Sequence, residues 1–324
     1  MTTPSPPPAR TIRRTRIVAR RNKGRDIDGV ILLDKPLGVS SNQALQRVRR
    51  AFDARKAGHT GSLDPLATGL LPVCLGEATK LSSYLLAADK HYRVTARIGQ
   101  ETTTGDAEGE WSRSSDVATP TGDALAALVA GFVGVQTQVP PMYSALKVDG
   151  KPLYEYAREG RTIEREPRTI TVHALDVVAA DADTLTLDVA VSSGTYVRTL
   201  VEDIARAWGG CAHVASLRRT RVGSLGDDEP MVDLASIEAA ARDEPARLHG
   251  WLRPVSALIG DWPAASVDAA QADAILQGRT VYGDWPARDG LLRVVSPAGH
   301  LLGLGYCPGD GALRPKRLFA RPQP

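Results

Sequence analysis

The chain has 324 residues, 43% of them hydrophobic, which is more than one average domain and enough to bury a sizeable core. No apolar run approaches the ~20 residues of a membrane span, no apolar h-region opens the chain, and three widely spaced cysteines (Cys74, Cys211, Cys307) fit reduced thiols better than a disulfide framework. A membrane or secreted protein is therefore not expected, and the net charge of +3 divides into eight basic residues and no acid over residues 1–25, against 32 basic and 37 acidic residues in the remainder.

Residues 1–25, rich in Pro and Arg, read as a disordered basic arm. The body that follows has a net charge of −5, so a nucleic-acid partner would have to meet a local basic surface. Order is expected from Ile27. Asp28 to Pro36 reads as a short buried strand ending at the proline. Ser40-Ser41-Asn42 offers an N-cap to a helix with apolar residues at Leu45, Val48 and Phe52. A second helical segment is expected over Ala78 to Leu86. Tyr92, Val94, Ala96 and Ile98 then alternate with Arg93, Thr95 and Arg97, the pattern of a half-buried strand with a basic outer face. Residues 105–123 are turn-rich, Ala124 to Phe132 reads as a short helix, and Val139 to Tyr143 as an irregular connection. Strands are expected at Ile170–Val178 and Thr184–Ser192. A helix follows Gly194-Thr195-Tyr196-Val197-Arg198 and stops at Gly209-Gly210, and Leu217 to Val222 reads as a basic strand. Glu disappears after Glu244, Pro254 and Pro263 mark a linker, and the last ~75 residues read as a small, mostly β domain.

The densest local signal is Gly58-His59-Thr60-Gly61-Ser62-Leu63-Asp64-Pro65-Leu66-Ala67-Thr68-Gly69, which sets one carboxylate among glycines and hydroxyl residues. Asp-Pro is a good N-cap and N1 pair, with Leu66-Ala67 continuing a helical turn, and the glycines suit turns at positive φ. Asp64 is therefore either a helix cap or a nucleophile. There is no phosphate loop and no Gly-x-Gly-x-x-Gly, and Cys211 with His213 lacks a second pair at zinc spacing. Lys90, Arg93 and Arg97 on one strand, and Arg218, Arg219 and Arg221 on another, are solvated faces unless both flank the Asp64 cleft, where they would form a basic track for RNA.

The Asp64 segment resembles the catalytic loop of the tRNA pseudouridine-55 synthases, the TruB family. Further motifs match in the family's order: Asp28-Gly29 through Asp34-Lys35-Pro36, Leu75-Gly76-Glu77-Ala78-Thr79-Lys80, Lys90-His91-Tyr92-Arg93-Val94, Val139-Pro140-Pro141-Met142-Tyr143-Ser144-Ala145-Leu146-Lys147, Gly194-Thr195-Tyr196-Val197-Arg198 and Ser216-Leu217-Arg218-Arg219. The similarity runs from about Asp26 to Val222.

The resemblance implies an α+β fold: a pseudouridine-synthase-like catalytic domain with a mixed, largely antiparallel central sheet (residues 26–250) and a small, mostly β, PUA-like RNA-binding domain (251–324). It implies a cytoplasmic, cofactor-free and metal-free isomerase, a monomer that acts on uridine-55 in the tRNA T-loop without guide RNA. Asp64 would be the nucleophile and Arg198 its partner, a nearby guanidinium lowering an Asp pKa by roughly 1–3 units and gripping the carboxylate bidentately. Tyr92 would stack on the flipped uridine, although it shares a strand face with Val94 and Ile98 and would equally serve as core. His59 would assist flipping, Tyr196 and Leu217 would line the pocket, Lys35 would lie near it, and Arg218 and Arg219 would meet RNA.

Overall fold

The computed structural model describes residues 24–226, 228–286 and 289–323. The expected basic arm lies outside the described residues except for Gly24 and Arg25, of which Arg25 is already paired: its N–H donates to Asp53 O at 2.6 Å, and Arg55 N–H donates to Arg25 O at 2.9 Å.

A ten-stranded sheet organises the chain. Its main strands are β1 (Gly29–Lys35), β2 (Ala67–Leu75), β3 (Lys90–Ile98), β4 (Arg168–Ala180), β5 (Thr184–Val191) and β6 (Ala212–Val222). Across the sheet the order is Val232–Asp233, β1, β2, β6, β3, β5, β4, Gly134–Gln138, with Ala57–His59 added beside β2 and Leu225–Gly226 beside β6. Every pairing is antiparallel except β2 with β6 and β1 with Val232–Asp233. The sheet is thus mixed and largely antiparallel, as expected.

β1 is apolar from Val30 to Leu33 because both of its faces are covered there. Ile31 and Leu33 enter a core with α1 (Ser41–Ala51) and α2 (Val197–Ala207), while Val30 and Leu32 enter a second core on the reverse face. Helix α1 starts where the sequence places it: Ser40 accepts from Gln43 N–H and the Gln43 side chain returns to Ser40 N–H, a reciprocal cap. The segment expected as one helix over Ala78 to Leu86 divides into a 3-10 turn, Gly76–Lys80, and a short helix, Ser82–Leu86.

The C-terminal part is a five-stranded sheet in the order Ala264–Ser266, Gly290–Val295, Leu301–Cys307, Ala312–Gln323, Val281–Tyr282, with one helix, Ala269–Leu276. Leu301, Leu304 and Phe319 of this sheet pack in one cluster with Val30, Leu32, Leu70 and Cys74. The segment read as a linker is part of the same cluster, since Val255, Leu258 and Ile259 are buried there. Pro254 starts a packed 3-10 turn there, Val255–Ile259, and Pro263 follows it.

Candidate active site

The Asp64 loop runs into β2 and caps no helix. Pro65 and Leu66 form a turn, Ala67 N–H donates to Asp64 O at 3.0 Å, and the chain becomes strand at Ala67. The Asp-Pro pair that resembled a helix start is therefore a turn, and the Asp64 carboxylate makes no cap bond. Its partner is Arg198, whose Nη2 lies 2.9 Å from Asp64 Oδ2.

Arg198 sits in the first turn of α2 and is almost wholly buried, so its charge needs several partners. Nη2 also donates to Tyr143 O at 2.8 Å, and Nη1 donates to Thr104 O at 2.6 Å and lies 3.6 Å from Asp106 Oδ2. The expected bidentate grip on Asp64 does not form, because the second nitrogen is engaged by the segment around Thr104 and Asp106. The sequence reading missed Asp106. It is buried, held by Thr104 Oγ1 at 2.6 Å and Glu108 N–H at 3.1 Å, and lies in a stretch whose only visible character was its turns.

Burial pushes the Asp64 carboxyl above the ordinary aspartate range, Arg198 and Lys35 pull it down, and Asp106 adds to the upward push. The net direction is upward, opposite to the lowering expected from Arg198 alone. With 42% of the side chain open to the cleft, solvent tempers the push.

Asp64 lies where two cavities meet. One, of about 350 Å³, is walled by Tyr92, Tyr196, Leu217, Lys90, Arg219 and Arg198. The other, of about 860 Å³, is bordered by His59, Asn42, Asp106, Glu108, Tyr143 and Tyr154. The smaller lies at the lower end of the range for small-molecule sites. Tyr92 is half-buried on β3. Tyr196 precedes α2, its backbone N–H donating to Gln138 Oε1 at 2.8 Å, with the Arg168 guanidinium 4.7 Å from its ring centre. The His59 Nδ1 accepts from Gly61 N–H at 3.3 Å, and burial lowers its pKa.

Lys35 is 0% exposed and lines neither cavity. Its ammonium donates to Pro36 O at 2.9 Å, Val39 O at 2.5 Å and Pro65 O at 3.4 Å, so it braces the Asp64 loop from below. Burial lowers its pKa to about 8. Ser41 Oγ accepts from Leu63 N–H at 2.7 Å and donates to Leu63 O at 3.0 Å, fixing the residue before Asp64 to α1.

The two basic strands do not form a track along this cleft. Arg93 pairs with Asp188, Arg97 with Asp183, and Arg218 grips Asp34 through two 3.0 Å bonds, all away from the side of the sheet that carries Tyr92 and Leu217. Lys90, expected on the outer face, has the parity of Tyr92 and points inward, donating to carbonyls at the end of the short helix Ser82–Leu86. Arg219 is likewise buried. Among the described residues no group of three or more His, Cys, Asp or Glu is placed to hold a metal ion, and no helix is long and apolar enough to cross a membrane.

Three family models match the chain between residues 49 and 319: the TruB family pseudouridylate synthase N-terminal domain over residues 49–197, the tRNA pseudouridylate synthase B C-terminal domain over 198–259, and the pseudouridine synthase II TruB C-terminal domain over 263–319. Curated relatives agree. The tRNA pseudouridine synthase B of Nitrosococcus oceani is 48% identical over 93% of this chain and 97% of its own, and that of Aromatoleum aromaticum is 50% identical over 93% and 95%. The chain belongs to the TruB family of pseudouridylate synthases. The TruB relative of Burkholderia mallei is 52% identical over 91% of this chain and 97% of its own. Among solved structures, a Cbf5–Nop10–Gar1 complex shares the fold, with a TM-score of 0.71 at 24% identity over 90% of this chain and 84% of that one. An archaeal box H/ACA Nop10–Cbf5 complex does so with a TM-score of 0.67 at 24% identity over 90% and 85%.

Proposed function

We propose that this TruB chain converts uridine-55 in the T-loop of tRNA to pseudouridine, with Asp64 as the nucleophile on a flipped-out uridine. The observation that carries the reading is the 2.9 Å Asp64–Arg198 pair at the mouth of a cavity walled by Tyr92, Tyr196 and Leu217. The relatives' name supports tRNA as the substrate.

The reaction is an isomerisation. The N1–C1′ bond breaks, the detached uracil turns, the C5–C1′ bond forms, C5 releases a proton and N1 gains one. An ionised carboxylate serves by adding to C6, by adding to C1′, or by assisting departure of the base. Arg198 holds Asp64 in its charged form and fixes its direction. Tyr92 stacks on the base, worth about 1–3 kcal/mol, which helps offset the few kcal/mol needed to unstack it, and its hydroxyl moves the C5 proton. Tyr196 and Leu217 line the pocket around the base, and His59 assists its flipping. Lys35 acts through the Asp64 loop, not on substrate. Residues 26–250 perform the chemistry and residues 251–324 contact RNA, in the cytoplasm, by a monomer without guide RNA.

Replacement of Asp64 with Asn tests the assignment through tritium release from C5-labelled tRNA. Release at the wild-type rate would sink the nucleophile. A bare T-arm hairpin is the second substrate: turnover without any guide RNA or protein partner is expected.

A further inference from the structure

Arg219 is 1% exposed and is one of the largest fully buried side chains in the described residues. A guanidinium removed from water is costly unless its donors are met, so where those donors go is informative. Nε donates to Leu70 O on β2 at 2.8 Å, and Nη2 donates to Gly61 O in the Asp64 loop at 3.1 Å. Tyr92 is its cross-strand neighbour on β3, close enough to interact with the guanidinium, and both side chains line the cavity at Asp64. One rigid fork thus holds the loop that presents Asp64 and sits beside the tyrosine on the wall of the same cavity.

The backbone is built to admit it. Gly69 lies beside Arg219 in the parallel β2–β6 pairing, at φ +95°, where a Cβ would fall 2.3 Å from Arg219 O. Only glycine lets the two strands close there. Gly61 has φ +133°, and a Cβ on it would sit 3.5 Å from Arg219 Nη1. Gly69 of the Asp64 motif therefore serves the close approach of Arg219, while at Gly61 it is the positive φ that calls for glycine, since a Cβ there would make only an ordinary contact with the guanidinium.

We propose that Arg219 is a positioning residue that couples the Asp64 loop to Tyr92, so that nucleophile and tyrosine hold a fixed mutual geometry as the base is detached, turned and rejoined. This rests on the proposed uridine-55 reading. Arg219 makes no contact with RNA in this role, which separates it from the phosphate-binding role its sequence suggests. Lysine retains the charge but cannot reach Leu70 O, Gly61 O and Tyr92 in one plane.

The test is R219K, and R219Q beside it, assayed by single-turnover pseudouridine formation with enzyme saturating and by tRNA binding. The expected result is a rate lower by about tenfold or more for R219K, tRNA affinity within about twofold of wild type, and a rate for R219K combined with Y92F no lower than for Y92F alone. Losses that multiply in the double variant would overturn the coupling, as would an R219K whose rate is intact at saturation while its affinity falls. Should both arginine variants fail to fold, Y92F is examined by hydrogen exchange of the segment 58–66. Faster exchange there than in wild type supports the link, and unchanged exchange overturns it. Wild-type protein inactive on uridine-55 would instead sink the underlying reading, so the two failures are distinguishable.

Discussion

Asp64 and Asp106 share one guanidinium: Arg198 Nη2 lies 2.9 Å from Asp64 Oδ2, and Nη1 lies 3.6 Å from Asp106 Oδ2. Asp106 thereby sets the plane in which Arg198 meets Asp64. In D106N the carbonyls of Thr104 and Tyr143 still hold the arginine, but one charge is gone. The rate at saturating tRNA is expected to fall about 10- to 100-fold with little change in affinity. Single-turnover assays with a parallel binding measurement check this.

The same pair sets the acid limb of the pH profile. Burial raises the Asp64 carboxyl and the Asp106 charge raises it further, while activity requires the ionised form. The rate should climb as pH rises through that raised pKa and then level off. Neutralising Asp106 removes one upward push, so the limb of D106N should move to lower pH than that of wild type. A limb that moves up or stays in place would contradict the placement of Asp106.

Stability should carry an alkaline signature. Burial lowers Lys35 and Lys90 from 10.5 to about 8. Between pH 8 and 10.5 the unfolded chain holds protons that the folded chain has released, so folding stability gains with pH across that window, by up to about 3 kcal/mol per lysine. Below pH 8 both states are protonated and the contribution is flat. Denaturant melts of wild type and K90M should show the gain in wild type and a shallower slope in the variant.

Gly69→Ala is expected to destabilise by roughly 2–4 kcal/mol, since the strained φ and the approach to Arg219 O at 2.3 Å act together. An equilibrium melt measures it. A nearby control, G38A, has the same need for positive φ but open space around it, and should lose less.

Arg218 is exposed to a direct trial of its RNA role. Its two bonds to Asp34 engage the guanidinium away from the cavities at Asp64. R218A should change tRNA affinity by less than about twofold and leave the slope of affinity against salt unchanged, whereas loss of a phosphate contact would reduce that slope by about one unit.

The legible features were those set by local pattern. The alternation from Tyr92 to Ile98 gave β3, Ser40 gave the start of α1, and the ordered motifs singled out Asp64 and Arg198, which the fold brings to 2.9 Å. What escaped depended on contacts distant in sequence. Asp106 becomes part of the site only because the turn-rich stretch after β3 folds back onto α2. The Asp-Pro pair looked like a cap because nothing local reveals that Ala67 pairs with Leu217 and so continues as strand. Lys90 was recoverable: its parity with Tyr92 and Val94 places it inside. Arg218 and Arg219 are adjacent, and the pleat alone sends one to Asp34 and the other beneath the cavity.

Strand β1 alternates its side chains between two cores, and the reverse one is closed by Leu301, Leu304 and Phe319. The floor under the Asp64 loop is therefore roofed, on its far side, by the last sixty residues of the chain. Cutting the protein at residue 250 would not release an independent catalytic half; it would leave Val30, Leu32, Leu70 and Cys74 facing water on the sheet whose opposite side positions the nucleophile. Evolutionary exchange of the C-terminal part for an unrelated RNA-binding module would have to supply a matching apolar surface as well as an affinity for RNA.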